Sequence, residues 1–299
     1  MQRSADSDRS GDVATLDELT ARCAFPVAGT PVDCAFSGGP DSTALLILAR
    51  HAALVVTAHH VDHGIRPESA DEADRARSIA HQLGVAFRSH SVGVATGPNL
   101  EARAREARRA VLPPGALTGH TADDQAETVL LRLIRGSGST GLSGIEPGPT
   151  HPLLRLRRWE TSAVCENARI DAVHDASNER LDVWRNRVRG EVMPLLADIA
   201  GRDVTPILTR TAGLLRDESE LLDELAAPID PADARALGEV SPVLARRALR
   251  RWLTEGGYPP DAAAIDRVMA VVRGEAVACE LPGGRRVQRT DQRLRLIGP

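Results

Sequence analysis

The chain has 299 residues, 37 basic side chains that are all arginine, 41 carboxylates and a formal net charge of −4. That length allows one large domain with a small companion, and the ordinary apolar content excludes a disordered or fibrous class. The absence of lysine excludes a Schiff-base lysine and the Walker P-loop, so any fixed side-chain cation beside a phosphate must be arginine, histidine or a metal.

Residues 1–14 read as a polar tail with neither a basic start nor an apolar core, and no apolar run approaches the ~20 residues that span a bilayer. The expected location is the cytoplasm. The first informative stretch is Val32-Asp-Cys-Ala-Phe36, an apolar run that breaks into Ser37, Gly38, Gly39, Pro40, Asp41 and Ser42 before a helical segment from Thr43 to Ala49. A strand, a glycine turn and a helix start cradle a phosphate, because glycine lets the backbone approach and the free N–H groups of the first turn point at the anion. Pro40 is tolerated there because its missing N–H would have no helical partner. Gly-Gly-Pro-Asp is also good turn chemistry by itself. The flanking strand and helix favour the phosphate site.

Ala53–Ala58 is a second strand by its continuous apolar run. Ser69-Ala-Asp-Glu72 is a capping box that opens a helix to Leu83, stopped by Gly84. Val85–Phe87 begins a third strand, and Asn99 caps a helix running to Arg109 before Pro113-Pro114. Ala116–Gly119 is a fourth short strand. From Thr121, the apolar positions Ala126, Val129, Leu130, Leu133 and Ile134 recur at helical spacing. Strands alternating with helices give an α/β, doubly wound parallel sheet of Rossmann-like type, with ligands beyond the carboxyl ends of the strands. The Ser37–Ser42 turn, His60–Arg66 and His120 follow strand ends and should converge on one site. Residues 15–200 then form the catalytic domain.

Past residue 200 the pattern changes. Residues 201–230 read as a helical linker, with one helix over Val204–Leu225, and 231–299 as a small α+β C-terminal domain. That domain has helices at Pro242–Leu253 and Ala262–Val272 and a hairpin of Ala278–Leu281 and Arg286–Ile297 around Gly283-Gly284. From Ser241 onward eleven arginines face six carboxylates, a local excess of positive charge that suits a polyanion or, equally, a solvated surface. Gly136-Ser-Gly138-Ser-Thr-Gly141 fits G-x-G-x-x-G but follows a helix instead of a strand, so it reads as a flexible, substrate-gating loop and not as a dinucleotide site. Cys23, Cys34, Cys165 and Cys279 lack paired spacing, which argues against a disulfide framework, a zinc site or an iron–sulfur centre.

Ser37–Ser42 resembles the S-G-G-x-D-S signature of the PP-loop ATP pyrophosphatases at every position. Further stretches continue the resemblance in order: His60-Val-Asp62-His63-Gly64-Ile-Arg66, Asn99-Leu-Glu101 through Arg105 to Arg108, and Gly119-His120-Thr-Ala-Asp123-Asp124-Gln125-Ala-Glu127. Arg135-Gly-Ser-Gly138, His151-Pro-Leu-Leu, Asp175-Ala-Ser177-Asn178 and Arg185-Asn186-Arg187-Val-Arg189 follow. Together they resemble the tRNA(Ile)-lysidine synthase family over residues 28–299. Ala176 stands where that family often has proline, and Trp184 where tyrosine is frequent.

The resemblance implies a ligase that uses ATP and magnesium to join free L-lysine to the wobble cytidine of an isoleucine tRNA with a CAU anticodon. It implies that Ser37, Gly38, Gly39, Pro40, Asp41 and Ser42 hold ATP and that Asp41 positions magnesium. It assigns His120 to a phosphate or base contact, and Asp124 to magnesium or the lysine amine. Arg105 joins the catalytic set, while Arg108, Arg185, Arg187 and Arg189 are expected on the RNA. Plainer roles stand beside these: His120 and Asp124 as helix-capping groups, and Arg105 and Arg108 as a solvated ridge. A tRNA 2-thiolating enzyme and a non-catalytic adenine-nucleotide sensor are the alternatives. The sequence does not choose between a monomer and a homodimer.

Overall fold

The structure, a computed structural model, describes residues 14–62, 69–93, 100–173, 184–254 and 260–298. The polar tail up to residue 13, His63–Glu68, Asn99 and Asp175–Asn178 lie outside the described residues. Contacts divide the chain into two units, Met1–Ala212 and Gly213–Pro299.

The first unit is built on a parallel sheet of β1 (Pro31–Ala35), β2 (Val55–Asp62) and β3 (Ala86–Ser91), in that spatial order. Leu117 adds a parallel bridge to Cys34 on the other side of β1, where Ala35 N–H donates to Leu117 O at 2.8 Å and Leu117 N–H to Asp33 O at 2.8 Å. The expected fourth strand is thus reduced to a single bridge. Its position still matters, because the chain order reverses between β1 and Leu117. That is the switch point where doubly wound sheets open a crevice.

The helix α1 (Leu16–Ala21) precedes the sheet, and α2 (Pro40–His51) joins β1 to β2. Ser42–Ala49 of α2 are all buried, and its leucines enter one core with Val32, Cys34, Val56 and Ala58 of the strands. The helix α3 (Ser69–Gln82) joins β2 to β3 and contributes Ala76, Ile79 and Ala80 to the same core. Each large apolar side chain so buried contributes about 1.5–3 kcal/mol. Next come α4 (Leu100–Val111), α5 (Ala122–Ile134), the short α6 (Ser139–Leu142) and α7 (Arg158–Asn167).

Two sequence expectations need correction here. The second strand continues past Ala58 to Asp62, so His60 lies inside β2 and does not follow it. The buried His60 Nδ1–H donates to Phe36 O at 3.0 Å and so tethers the segment that enters the glycine turn. Part of the Gly136–Gly141 stretch, expected as a loop, is helical, since α6 covers Ser139–Leu142. Arg132 on α5 donates to the carbonyls of Gly141 and Gly144, both at 2.7 Å, and Gln125 donates to Ser143 O at 3.3 Å and Ile145 O at 3.1 Å. The side chains of α5 thus hold Gly141 and the residues Ser143–Ile145 that follow it.

From Trp184 the chain runs helically to residue 200, as α8 (Trp184–Arg187), a π-helical turn over Val188–Val192, and α9 (Met193–Ala200). Pro194, in the first turn of α9, has no N–H for the carbonyl four residues back, and a wide turn just before it absorbs that loss. Val188 packs with Leu130 and Leu131 of α5.

The helix α10 (Thr205–Ala226) crosses the boundary between the units. In the second unit α11 (Ala234–Glu239), α12 (Pro242–Thr254) and α13 (Ala262–Arg273) pack Leu237, Leu249, Leu253, Ile265 and Val268 into a separate core. An antiparallel sheet of β4 (Ala278–Glu280), β5 (Arg286–Thr290) and β6 (Arg293–Ile297) contributes Val287 and Leu294 to it. The expected second arm of the hairpin is therefore two strands, turned at Asp291-Gln292, whose φ values of 48° and 64° suit a two-residue hairpin loop.

One close approach fixes the crevice. A Cβ on Gly119 would stand 2.6 Å from Asp41 O and 3.0 Å from Ser42 N, so only glycine lets the segment after Leu117 lie against the start of α2. Gly119→Ala should therefore cost about 1–3 kcal/mol, the usual range for overpacking. A urea melt beside wild type checks this, and an unchanged midpoint would mean the two backbones move apart freely.

Candidate active site at the sheet switch point

The glycine turn is held in shape by its own side chains. Gly38 sits at φ +87°, where a Cβ would also press on Val173 at 3.0 Å, and Val173 N–H donates to Gly38 O at 2.9 Å. Ser42 Oγ–H donates to Gly39 O at 3.0 Å and accepts the Ser37 N–H at 3.3 Å, while Ser37 Oγ lies 3.1 Å from it. Gly39 is the N-cap and Pro40 opens the helix. The turn thus presents the start of α2, with N–H groups that the helix itself cannot satisfy, towards the crevice.

Asp41 stands in that first turn. Burial is the largest influence on its carboxyl and lifts it from the ordinary value of 3.8 to about 6. The Thr161 hydroxyl opposes this by donating to Asp41 Oδ1, the nearby Asp124 carboxylate reinforces it, and Arg158 and Arg189 oppose it. Arg158 Nε lies 3.6 Å from Asp41 Oδ2.

Asp124 and Glu127 stand one turn apart on α5 and share a face. Asp124 Oδ2 accepts the Thr121 N–H at 2.8 Å and the Thr121 hydroxyl at 3.0 Å, so it closes the start of α5. Its other oxygen accepts Arg158 Nη2 at 3.0 Å and Arg185 Nη2 at 2.9 Å. Burial pushes the Asp124 carboxyl up, but Arg158, Arg185, the Thr121 N–H and His120 together outweigh that and hold it below its ordinary value. Glu127, only 1% exposed, accepts Arg158 Nη1 at 3.0 Å, Arg185 Nε at 2.9 Å and Arg189 Nε at 2.7 Å. Arg185 and Arg189 reach it together because four residues separate them on one helical run. Three carboxylates thus meet three guanidiniums.

His120 completes the corner. Its Nδ1 is 2.8 Å from Thr118 Oγ1, and its ring is 5.2 Å from that of His151, whose Nδ1 is 3.1 Å from Thr150 Oγ1. Thr118 N–H donates to Thr150 O at 2.9 Å, which brings the two histidines side by side.

The structure therefore brings the turn, Asp41, His120 and Asp124 to one corner of the sheet, and joins Arg185 and Arg189 to it through carboxylates. Arg187 points elsewhere and pairs with Glu191 at 2.9 Å on an exposed surface. Arg105 is on α4, and Arg108 is exposed in its last turn. Among the described contacts none joins Arg108 to the cluster. Sequence reasoning missed the roles of Arg158, Thr161 and Glu127. Glu127 carried a signal, standing three residues from Asp124 on the same helical face; Arg158 and Thr161 carried none, because only the packing of α7 on α2 places them.

The donor chemistry suits a magnesium ion at Asp41, a hard carboxylate beside a phosphate-binding turn whose Oδ2 has its cation no nearer than 3.6 Å. Asp124 suits it less, since both its oxygens are already engaged.

This corner, a phosphate turn facing arginines and acids at a sheet switch point, defines an ATP-using PP-loop enzyme. The family model for the PP-loop domain matches residues 16–196, and that for the TilS substrate binding domain matches residues 233–295. The chain is 41% identical over 273 residues to a tRNA(Ile)-lysidine synthase of Mycolicibacterium paratuberculosis, covering 84% of this chain and 85% of the relative. It is 40% identical over 286 residues to that of Nocardia farcinica, covering 88% and 90%. The chain belongs to the tRNA(Ile)-lysidine synthase family. A U34-tRNA thiolase, NcsA, from Methanococcus maripaludis superposes with a TM-score of 0.53 at 17% identity, covering 67% of this chain and 78% of that one, a likeness of fold.

Two outcomes are expected from this geometry. Glu127→Gln strips a buried charge from three guanidiniums and should cost about 3–5 kcal/mol of stability, read as a lowered urea midpoint; a shift within error would show that the arginines find water instead. Asp41 has a folded-state value raised above its unfolded one, so its proton stabilises the fold at low pH and that contribution is lost as pH rises towards about 6. In EDTA, Asp41→Asn should then gain stability over wild type as pH rises from about 4 to about 6 and hold that gain above it, and a gap that stays flat across that interval would show that the carboxyl is not raised.

Proposed function

We propose that the chain ligates free lysine to C2 of the wobble cytidine of an isoleucine tRNA with a CAU anticodon. The cytidine O2 attacks the α-phosphorus of ATP, the bond to the β-phosphate breaks and pyrophosphate leaves. The lysine ε-amine then adds at C2, gives up a proton, and AMP departs with O2. What carries this reading is the meeting of the phosphate turn with His120 and Asp124 in a chain whose relatives of that name match it over most of their length. The reaction needs a base that is splayed out of its stack, which an anticodon loop allows.

In this reading Ser37–Ser42 grip the β- and γ-phosphates, and magnesium at Asp41 neutralises phosphate charge when bound. His120 donates to the α-phosphate as charge builds there. Asp124, and through it Arg158, keep a fixed field beside the reacting carbon. Arg105 serves the catalytic set, Arg108 and the exposed Arg187 contact RNA phosphates, and Arg185 and Arg189 reach the RNA only by loosening from Glu127. The second unit adds backbone contacts. No described helix is long and apolar enough to cross a membrane, which accords with a cytoplasmic reaction.

A thiolating role is disfavoured by the thiols. Burial pushes those of Cys23, Cys34 and Cys165 up to about 12, which suppresses the thiolate that sulfur transfer needs.

Purified protein given ATP, magnesium, lysine and unmodified isoleucine tRNA should release AMP and fix labelled lysine on the RNA. Release of AMP without tRNA, or with glutamine or sulfide in place of lysine, would refute the reading.

A further inference from the structure

We propose that Thr161 is the positioning residue of the phosphate turn, holding the Asp41 carboxylate in the orientation that faces bound nucleotide. The inference rests on the reading of that turn as a magnesium–ATP site. Thr161 is fully buried on α7, and its hydroxyl donates to Asp41 Oδ1 across 120 residues of sequence. The same Oγ1 lies 2.8 Å from Arg158 O. A hydroxyl has one proton to give, and an ionised carboxylate outcompetes a helical carbonyl that is already bonded.

The contact is part of a set. Three residues of α7 at helical spacing address the start of α2. Arg158 Nε faces Asp41 Oδ2 at 3.6 Å, Thr161 holds Asp41 Oδ1, and Cys165 Sγ reaches Pro40 O at 3.3 Å. Each carboxylate oxygen of Asp41 thus meets a different α7 side chain, and the two together prevent rotation about the Cβ–Cγ bond. Of the two, only Thr161 is committed to Asp41 alone among carboxylates, since Arg158 also serves Asp124 and Glu127. A carboxylate free to rotate about that bond would keep neither oxygen at a constant place for a cation. Fixed, it offers the cation one oxygen at a constant place.

The test compares Thr161→Val, which keeps shape and loses the donor, with Thr161→Ser, which keeps the donor and loses a methyl. Calorimetry with ATP and magnesium, and with ATP in EDTA, is read beside steady-state AMP release. The Val variant should bind magnesium–ATP about tenfold more weakly, the scale of one charge-assisted hydrogen bond. Its binding of ATP in EDTA should be unchanged, and its kcat should fall with the KM for lysine unmoved. The Ser variant should match wild type. Wild-type magnesium–ATP affinity in the Val variant, or equal losses in Val and Ser, would overturn the proposal. Should the Val variant fail to fold, Thr161→Cys, a weak donor of similar volume, replaces it with the same expectation. Lysine-independent AMP release by wild type would sink the functional reading alone, because the calorimetric comparison does not depend on it.

Discussion

The carboxylate of Glu127 is sealed from water with three guanidiniums around it, and this packing constrains the whole first unit. A buried carboxylate or guanidinium without a partner is far costlier than a broken surface pair. Glu127 therefore obliges α5, α7 and the helical run from Trp184 to keep their present relation. None of the three can shift without stranding a charge. Asp124 extends the constraint, because one of its oxygens caps α5 while the other grips two of the same arginines. The start of α5 and the arginines are then fixed by one side chain.

This arrangement also divides the labour among the acids. Glu127 spends both its oxygens on arginine and Asp124 one of its own, which leaves Asp41 as the carboxylate of the three with the loosest cation partner. The raised value of Asp41 and the lowered value of Asp124 follow from that difference in neighbours and not from depth alone, since Asp124 is the more enclosed of the two. An arriving triphosphate meets a cluster whose charges already cancel, so its own negative charge must be met by a cation or by arginines drawn away from the acids. Either route makes binding of the nucleotide a rearrangement of this one network.

Much of this was legible in the sequence, and the exceptions share a cause. The strand–turn–helix at Ser37–Ser42 and the amphipathic α5 are local patterns, and local patterns showed clearly. The turn at Asp291-Gln292 was missed because it lacks the glycine that usually marks a two-residue hairpin loop. The bonds from Gln125 and Arg132 to Gly141 and Ser143–Ile145 are made by side chains that the composition of the loop itself cannot reveal. The π-helical turn before Pro194 shows only through what proline removes. Arg185 and Arg189 were expected on the RNA, and nothing local in the sequence marks Glu127 as buried between them, while Thr161 had no pattern to display at all. The family resemblance supplied the names of the acids, but their partners came from packing.

The second unit shows how counting charge overstates a binding surface. The local excess of arginine after Ser241 suits a polyanion or, equally, a solvated surface, and Arg246, Arg247, Arg273 and Arg293 are already paired with Asp266, Asp223, Glu275 and Asp230. Arg247 is also half a structural residue, donating to Ser219 as well. Arg250, Arg267 and Arg295 are exposed, and none of them enters a described ion pair. The slope of affinity against salt reports phosphates neutralised, not arginines present. A unit that spends part of its basic side chains internally contributes chiefly its unpaired ones to that slope, so the count of arginines is an upper bound on the phosphates it can neutralise.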